Sequence, residues 1–539
     1  MRTLRNPVIR GFAPDPSLIR VGDWYYAATS SFEWFPTIPL HRSRDLVCWE
    51  YAGHVAGAVP GDSLSGVPDS GGIWAPALSW DGERFWMVYA IVRSLMTPYF
   101  NLEVHVCTAT DPAGPWSAPR RVSGHGFDPS LFHHEGRLWL LNLQNDHRPG
   151  GNRFDGIVLT ELDRDTLTPI GPSQLILQRD PRRERFVEGP KLLFRNGWFY
   201  LVLAEGGTGF EHGVLVSRSR NIAGPYELCD EPLLTARDDP SQPLQKAGHG
   251  ELVQAPDGDW FCGHLTSRPL TTVHGPRCTL GRETAIQAIV WDEREWPRLR
   301  QGGWHPAVEV DVPDVPDSTE PTSQDTATDV GDPKLGWPWS TLRGRPDASW
   351  VDTTSRPGWI RLRGRHGPES LWEQSLLAQR ITEHRSHVEV TVDARPTTFT
   401  QAAGLVLWYN TEAYFSLDLT WTEPEGAGQS GQQWRDEGRT ALVLTVRTPN
   451  GTRIEAIREI RPGRPATVGA TTDGADAQFW IRDNDRREPV GGVLDFSELS
   501  DDAGSRLRFT GAFAGIRAHN VVDGVFTADF SGFRLTAEV

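Results

Sequence analysis

Apolar and polar residues alternate in short runs along most of this chain, and in its first half the runs recur as one repeated pattern. Each copy has a small polar or proline-containing start, a leucine, a glycine-containing turn and then a strand rich in aromatic residues. The matching leucines are 60, 53, 61 and 60 residues apart: Leu18, Leu78, Leu131, Leu192 and Leu252. A repeat of this length with a hairpin inside each unit is typical of a β-propeller blade. The first half is therefore predicted to be a five-bladed β-propeller.

A different pattern of strands follows a segment that is poor in large apolar residues. Segment 312–332 reads VPDVPDSTEPTSQDTATDVGD, and its Pro, Ser, Thr and Asp content predicts a linker. Beyond it, stretches such as HVEVTVDA from His387 and AYFSLDLTW from Ala413 alternate apolar and polar residues, which indicates a β-sandwich. We expect an all-β chain with a catalytic propeller over 1–311, a linker over 312–332 and a β-sandwich domain over 333–539.

Charge and cysteine content narrow the classes of partner. The chain has 70 acidic and 54 basic residues and a formal charge of -16, which disfavours nucleic acid or an anionic membrane. Its five cysteines form no C-x-x-C pair, so neither a zinc site nor a disulfide framework is predicted. Because the sequence contains no 18-residue apolar run and no apolar signal segment, we expect a cytoplasmic protein.

Three carboxylates occupy matching places in the repeats. Asp15 and Asp128 each precede a proline at the same repeat position, Glu188 stands one position earlier, and Ala75 and Gly250 complete the set. A propeller arranges equivalent residues around one axis, so the three carboxylates are expected to meet. Glycosidic bond hydrolysis needs one protonated and one ionised carboxyl, and a third carboxylate raises the pKa of the acid. A single Asp-Pro dipeptide is common in turns. The prediction therefore depends on all three carboxylates occurring at matching repeat positions.

The motifs around these carboxylates occur in the order found in a known family. They are FAPDPS at Phe12, GHGFDPSLF at Gly124, VEGPKL at Val187, AEGGTGFEHGV at Ala204 and LGRET at Leu280. With them the chain resembles the β-xylosidases of glycoside hydrolase family 43. GWPWSTLRGRP near Gly336 and LWEQSLLAQR near Leu371 are similar to the β-sandwich domain which those enzymes append to the propeller.

The resemblance implies a role for each carboxylate. Asp15 would be the general base, Glu188 the general acid, and Asp128 the residue that tunes the pKa and orientation of the acid. The family inverts the anomeric centre, which implies a separation of roughly 6.5–9.5 Å between the carboxyls of Asp15 and Glu188. No cofactor is required for this chemistry.

The resemblance also implies residues that contact the sugar. Phe32 and Trp74 would form apolar walls, and Arg282 would donate to sugar hydroxyls while damping repulsion between the carboxylates. His249, which begins the fifth repeat, would bind water or a structural or activating divalent cation near the axis, with a purely structural histidine as the alternative. Phe513 would reach the pocket from the sandwich, which would pack near the active-site mouth and make the enzyme exo-acting; core packing is the alternative for Phe513.

The predicted function is release of xylose from the non-reducing end of short β-1,4-xylo-oligosaccharides, with homo-oligomers as in relatives. Asn145 stands where the family has a tryptophan on the leaving-group side of the cleft, which weakens the case for a second stacked sugar. An α-L-arabinofuranosidase, or dual activity, is the nearest alternative. A sucrose- or fructan-cleaving enzyme would carry N-D-P and E-C where this chain has P-D-P and E-G-P. A non-catalytic carbohydrate-binding propeller is the most distant alternative.

Overall fold

The described part of the chain consists almost entirely of strands. The computed structural model describes residues 2–95, 97, 99–179, 184–313, 335–422, 438–460, 463–484, 486–506, 508–522 and 525–538. Within these ranges the only helical elements are two 3-10 turns, Pro60–Asp62 and Phe496–Glu498. A search of the same ranges finds no helix with the length and apolarity needed to cross a bilayer. The prediction of an all-β chain is confirmed.

The chain divides into two compact units. The first comprises Met1–Asp62, Ser70–Pro269 and Arg282–Thr322, and the second comprises Ser63–Asp69, Leu270–Gly281 and Ser323–Val539. Two short segments inside the range predicted for the propeller therefore group with the second unit. The predicted linker lies outside the described residues from position 314 onwards.

The first unit begins with strand β1 (Arg2–Arg5), and two four-stranded antiparallel sheets follow. The first sheet has the strand order β2 (Ser17–Val21), β3 (Trp24–Ala28), β5 (Pro39–Ser43) and β6 (Glu50–His54), with β4 (Trp34–Phe35) lying between β3 and β5 in sequence. The second has the order β7 (Gly72–Trp80), β8 (Phe85–Val92), β9 (Leu102–Ala109) and β10 (Arg120–Val122). Each is a meander in which every strand pairs with the next member of its own sheet.

Three more meanders complete the first unit. The third sheet contains β11 (Ser130–His134), β12 (Arg137–Leu143), β13 (Ile157–Leu162) and β14 (Gln174–Leu177). The fourth contains β15 (Val187–Arg195), β16 (Trp198–Glu205), β17 (Gly213–Ser219), β18 (Glu227–Leu228) and β19 (Leu234–Thr235). The fifth contains β20 (Gln245–Gln254), β21 (Trp260–Ser267), β24 (Glu283–Trp291) and β25 (Pro297–Leu299). A hairpin of the second unit, β22 (Leu270–Thr272) with β23 (Gly275–Arg277), is inserted between β21 and β24.

The first strands of the five sheets contact one another in cyclic order. Strand β2 contacts β7, β7 contacts β11, β11 contacts β15, β15 contacts β20, and β20 contacts β2. Apolar residues fill the space between neighbouring sheets; one such cluster joins Val88 and Val104 of the second sheet to Leu131, Leu138 and Leu140 of the third. Strand β26 (Glu309–Val312) pairs with β1, so the two ends of the unit are joined by backbone hydrogen bonds.

The second unit is a sandwich of two antiparallel sheets. The larger sheet contains β28 (Val351–Asp352), β29 (Ile360–Arg363), β41 (Thr527–Glu538), β31 (Arg385–Ala394), β36 (Ala466–Asp473), β37 (Asp476–Asp483), β38 (Arg486–Pro489) and β39 (Leu494–Asp495). The smaller sheet contains β30 (Ser375–Arg380), β40 (Phe513–Asn520), β32 (Gln401–Asn410), β33 (Ala413–Thr422), β34 (Arg439–Thr448) and β35 (Gly451–Glu459), and β27 is the short strand Thr341–Leu342.

The core of the second unit lies between its two sheets. Leu405, Leu417 and Leu444 of the smaller sheet belong to the same buried cluster as Val390 and Phe479 of the larger one. Strand β31 alternates buried and partly exposed residues along its length, as a strand with one covered face must. The predicted β-sandwich is confirmed.

Candidate active site

Five residues at equivalent repeat positions share a left-handed backbone. Their φ angles are 53° at Asp15, 35° at Ala75, 51° at Asp128, 58° at Gly189 and 51° at His249. Residues other than glycine rarely adopt this region, and holding one there costs on the order of 1 kcal/mol or more. Because each of the five lies three positions before a repeat leucine, the strain recurs with the repeat.

The same residues coincide with shifts in strand pairing. In β7, β15 and β20 the pairing register shifts across Ala75, Gly189 and His249 respectively. A bulge of this kind turns a side chain out of the regular alternation. His249, and not Gly250, is therefore the fifth equivalent residue, while Glu188 stands one position before its own equivalent, as the repeat predicted.

Asp15 is buried among groups that favour its ionised form. Ser30 Oγ donates to Asp15 Oδ2 over 2.6 Å, and Arg282 Nη1 donates to Asp15 Oδ1 over 2.7 Å. Burial alone would raise the pKa of this carboxyl, but Arg282, the nearby His249 and the Ser30 hydrogen bond together lower it below its usual value. Asp15 is thus held as a carboxylate.

Asp128 and Glu188 have pKa values shifted in the opposite direction. Burial and the negative charge of Asp15 raise the pKa of Asp128 to about 7, although Lys191, Arg282 and the backbone N–H of Gly189 (3.0 Å from Asp128 Oδ2) oppose the shift. Burial, followed by the charges of Asp128 and Asp15, raises the pKa of Glu188 well above its usual value. The three carboxyls thus lie within electrostatic reach of one another, which agrees with the convergence expected from the repeat.

Arg282 links the carboxylates to the rest of the pocket. The same Nη1 that binds Asp15 also donates to Thr208 Oγ1 over 2.7 Å, and the guanidinium lies 5.5 Å from the ring centre of Phe32. Arg282 is 3% exposed, so its charge acts on Asp15 with little screening by water. Thr208 was not singled out from the sequence, although it lies in the AEGGTGFEHGV motif that supported the resemblance.

Two histidines lie beside the carboxylates. Burial lowers the pKa of His249 to about 4 in spite of Asp15, and burial together with His249 lowers that of His212 to about 3. Both rings are thus neutral at neutral pH. His212 Nδ1 lies 3.0 Å from the carbonyl oxygen of Glu205, which fixes the orientation of its ring. The sequence analysis missed His212, although the same AEGGTGFEHGV motif contains it.

Two glycines make room for these rings. A Cβ on Gly189 would lie 3.1 Å from His249 Cε1 and Nδ1, and a Cβ on Gly248 would lie 2.0 Å from His212 Cδ2. Gly189 also has a φ of 58°, where a side chain is strained even without a neighbour. The glycine that follows Glu188 is thus required by both backbone and packing.

Aromatic side chains form a continuous wall in the first unit. Phe32 is 6.1 Å from Trp74, and Trp74 is 5.6 Å from Phe127, measured between ring centres. The series continues through Phe154 to Phe186, which stacks on Phe154 at 3.9 Å. Phe32 and Trp74 were predicted to form apolar walls around the terminal sugar; their rings lie together, and their contact with a sugar stays a prediction. Phe127 precedes Asp128 as Trp74 precedes Ala75, so the repeat carried a signal for it that was missed. Phe154 and Phe186 come from loops outside the repeated motif.

Two other predicted positions are Asn145 and Phe513. Asn145 is half-buried and donates from Nδ2 to the carbonyl oxygen of Arg153 over 3.2 Å. Phe513 is the first residue of β40 and is 1% exposed within the second unit. Its predicted part in closing the pocket stays a prediction.

Potential metal ligands gather at one place among the described residues, and it does not include His249. His274, Asp495 and Glu498 of the second unit bring their ligand atoms within 4.8 Å of one another. All five cysteines are free thiols, in keeping with the absence of a disulfide framework.

Comparison with known proteins gives full-length matches. The pattern described as Glycosyl hydrolases family 43 matches residues 4–297, and that described as Beta xylosidase C-terminal Concanavalin A-like domain matches residues 329–536. A Humicola insolens protein named Xylosidase/arabinosidase 43B is 38% identical, over 99% of this chain and 97% of that protein. A Beta-xylosidase of Bacillus subtilis (strain 168) is 34% identical, over 98% and 99%. The crystal structure of xylan beta-1,4-xylosidase from Bacillus Halodurans C-125 superposes with a TM-score of 0.92 at 36% identity, over 99% of this chain and 100% of that one.

Proposed function

Because the chain belongs to glycosyl hydrolases family 43, we propose that it is an inverting, exo-acting hydrolase. It releases xylose from the non-reducing end of short β-1,4-xylo-oligosaccharides. The observation that carries this proposal is the opposed pKa shifts of three buried carboxyls, lowered at Asp15 and raised at Asp128 and Glu188. An acid and a base that coexist at one pH are what single-displacement hydrolysis needs.

The five sheets of the first unit are proposed to be the blades of one propeller. The cyclic contacts of their first strands support this arrangement, as does the pairing of β26 with β1. The shared left-handed residue at the start of each repeat then brings Asp15, Ala75, Asp128, Gly189 and His249 to one rim of the axis.

The reaction follows from the protonation states. The Asp15 carboxylate takes a proton from a water molecule as the water oxygen bonds to the anomeric carbon. The bond from that carbon to the leaving oxygen breaks, and the Glu188 proton goes to the leaving oxygen. Burial keeps Glu188 protonated, and the charge of Asp128 adds to this effect to the extent that Asp128 is ionised. Asp128 is itself oriented by the Gly189 N–H. Both proton transfers use side chains of the protein alone.

The remaining residues are proposed to position the terminal sugar. Arg282 is fixed by Asp15 and Thr208 and is proposed to donate to sugar hydroxyls. Phe32 and Trp74 form the apolar wall. His249 is neutral and competent to bind water or a divalent cation; if a cation matters, activity will fall on treatment with EDTA and return with added Ca²⁺ or Mg²⁺.

An α-L-arabinofuranoside is the second candidate substrate. The relative from Humicola insolens is named for both sugars, and Asn145 offers no aromatic ring to a second xylose. Parallel kinetics on nitrophenyl β-D-xyloside, α-L-arabinofuranoside and β-D-fructoside test the proposal. The xyloside should have the highest kcat/KM; a higher value for the arabinofuranoside would reverse the assignment, and no turnover of any of the three would favour a binding module.

Location and assembly are also proposals. Free thiols at all five cysteines support a reducing compartment such as the cytoplasm, which cell fractionation would test. A homo-oligomer would appear in sedimentation analysis as a mass that is a multiple of 60.1 kDa.

A further inference from the structure

The smaller sheet of the second unit has a polar outer face. In β33, residues Phe415, Leu417 and Leu419 face the sandwich core, so the alternating residues Ser416, Asp418 and Thr420 face the other way. The neighbouring strands follow the same rule, which puts Thr445 of β34 and Arg517 of β40 on this outer face. A sheet face that merely meets solvent would carry exposed polar groups, yet several of these groups are buried.

A buried ion pair crosses the middle of this face. Arg517 and Asp418 flank Gly404 on either side in the strand pairing, and Arg517 Nη2 donates to Asp418 Oδ2 over 2.6 Å. Both are under 7% exposed. Gly404 is required here, since a Cβ would lie 2.9 Å from Asp418 Oδ1 and 2.0 Å from the carbonyl oxygen of Leu417. The absence of a side chain lets the strands approach closely at this point.

Asp418 and Arg517 line a cavity of about 430 Å³. The lining includes the segment 367–370, Phe399 with 60% of its surface exposed, and Thr420 and Thr445. Thr420 Oγ1 donates to the carbonyl oxygen of Gln401 over 2.7 Å and keeps its capacity to accept. The lining thus combines a carboxylate, a guanidinium, hydroxyls and an exposed aromatic ring. All of the lining residues belong to the second unit.

One buried nitrogen atom of the lining residues has hydrogen-bonding capacity to spare. His519 Nδ1 finds no hydrogen-bond partner within the described ranges of the chain. Burial lowers the pKa of His519 to about 4, so its ring is neutral at neutral pH. Unmet hydrogen bonds at buried groups are costly, and a ligand with many hydroxyls would relieve that cost with a small rearrangement of the lining.

We propose that this cavity is a second, non-catalytic binding site for a neutral oligosaccharide. The charges favour a neutral ligand, since Arg517 is paired with Asp418 and the Glu369 carboxylate lies 3.4 Å from Arg447. Alternating donors and acceptors fit vicinal hydroxyls, and Phe399 offers a ring face for the sugar to stack on. That the sugar is a xylo-oligosaccharide rests on the proposed function.

Calorimetric titration of the full chain with xylotriose tests this proposal. Asp15→Ala is used as the background so that sugar is not consumed, and two sites are expected. Adding Thr420→Phe should fill the cavity and leave one site, whereas Thr467→Phe, a matched change on a half-exposed threonine of the other sheet, should leave both. Phe399→Ala should weaken the second site at least tenfold, and Phe194→Ala, at a 41% exposed phenylalanine of the first unit, should not.

The outcomes separate this proposal from the catalytic one. Neither Thr420→Phe nor Phe399→Ala, made in the wild-type chain, should change kcat/KM on nitrophenyl xyloside. A single xylotriose site in the background variant would overturn the second site, as would two sites persisting in both cavity variants. Binding of inorganic phosphate that Thr420→Phe abolishes, without xylotriose binding there, would also overturn it by identifying an anion site. The catalytic proposal fails on a different result, the lack of xyloside hydrolysis by the wild-type protein.

Discussion

Removing the charge of Arg282 should move the acidic limb of the pH profile to higher pH. In the proposed mechanism Asp15 must be ionised, so activity rises as pH passes its pKa. Arg282 Nη1 lies 2.7 Å from Asp15 Oδ1 and both groups are buried. Without the positive charge of Arg282 the pKa of Asp15 rises, and Asp15 then ionises only at higher pH. The acidic limb of the activity profile therefore moves to higher pH.

The size of the shift follows from the geometry. With charge centres roughly 4 Å apart and an effective dielectric constant of about 20, the attraction is on the order of 4 kcal/mol. At 1.36 kcal/mol per pKa unit this corresponds to about 3 units. Water entering the space left by the guanidinium reduces the effect, so we expect Arg282→Gln to raise the acidic limb by about 2 units.

The assay is kcat/KM for nitrophenyl xyloside from pH 3.5 to 9. Its good leaving group makes the rate depend mainly on the base. Arg282→Gln will also lower the plateau, because the proposed contact with the sugar is removed, but only the position of the limb reports on Asp15. Arg282→Lys keeps the charge and should leave the acidic limb within about 1 pH unit of its wild-type position. Thr208→Val is a second control, because it removes a hydrogen bond of Arg282 and leaves the charge of Arg282 in place. An unmoved limb in Arg282→Gln would refute the electrostatic role of this arginine.

Three further variants test the other carboxyls and their surroundings. Asp128→Asn should raise the melting temperature at pH 8 but not at pH 4. Because the folded pKa of Asp128 is raised to about 7, this carboxyl makes the folded protein less stable as pH rises from about 4 to 7, by on the order of 4 kcal/mol. An equal gain in melting temperature at both pH values would contradict this sign. Glu188→Ala should cut kcat on xylobiose by at least a hundredfold while sparing substrates with very acidic leaving groups, and equal losses on both would remove Glu188 as the acid. Gly189→Ala should lower stability by about 1–3 kcal/mol in denaturant unfolding, since its φ is 58° and its Cβ would press on His249. Gly136→Ala, with a φ of 76° and no atom within 4 Å of its Cβ, is the control that should cost less.

The repeat made much of the site predictable. Asp15 and Asp128 could be assigned to one place because a propeller converts sequence register into spatial equivalence, and the offset of Glu188 could be read directly from the alignment of the leucines. The pairing shifts in β7, β15 and β20 could not be read from the sequence. The placement of Gly250 at the fifth position was an error of one residue, since His249 stands three positions before Leu252, as Asp15 stands before Leu18.

Contacts between distant segments account for the other gaps. Ser30 follows β3 of the first sheet and donates to Asp15, whereas Thr208 and His212 lie in the loop between β16 and β17 of the fourth sheet, where Thr208 accepts from Arg282. Their roles depend on how those sheets are arranged. Segments 63–69 and 270–281 group with the second unit although they are flanked by strands of the first. The secondary-structure preferences of these segments do not reveal which unit they join, because each segment forms a turn or hairpin that would suit either unit.

The central claim is that Asp15 activates water for direct attack while Glu188 protonates the leaving oxygen. Proton NMR of the first turnovers on a β-xyloside tests it most directly, provided that spectra are recorded before the released sugar mutarotates. The account predicts that α-xylose appears first and β-xylose accumulates only afterwards. Initial release of β-xylose would contradict it. Retention of the anomeric configuration requires a covalent glycosyl-enzyme intermediate, and the proposed mechanism has none.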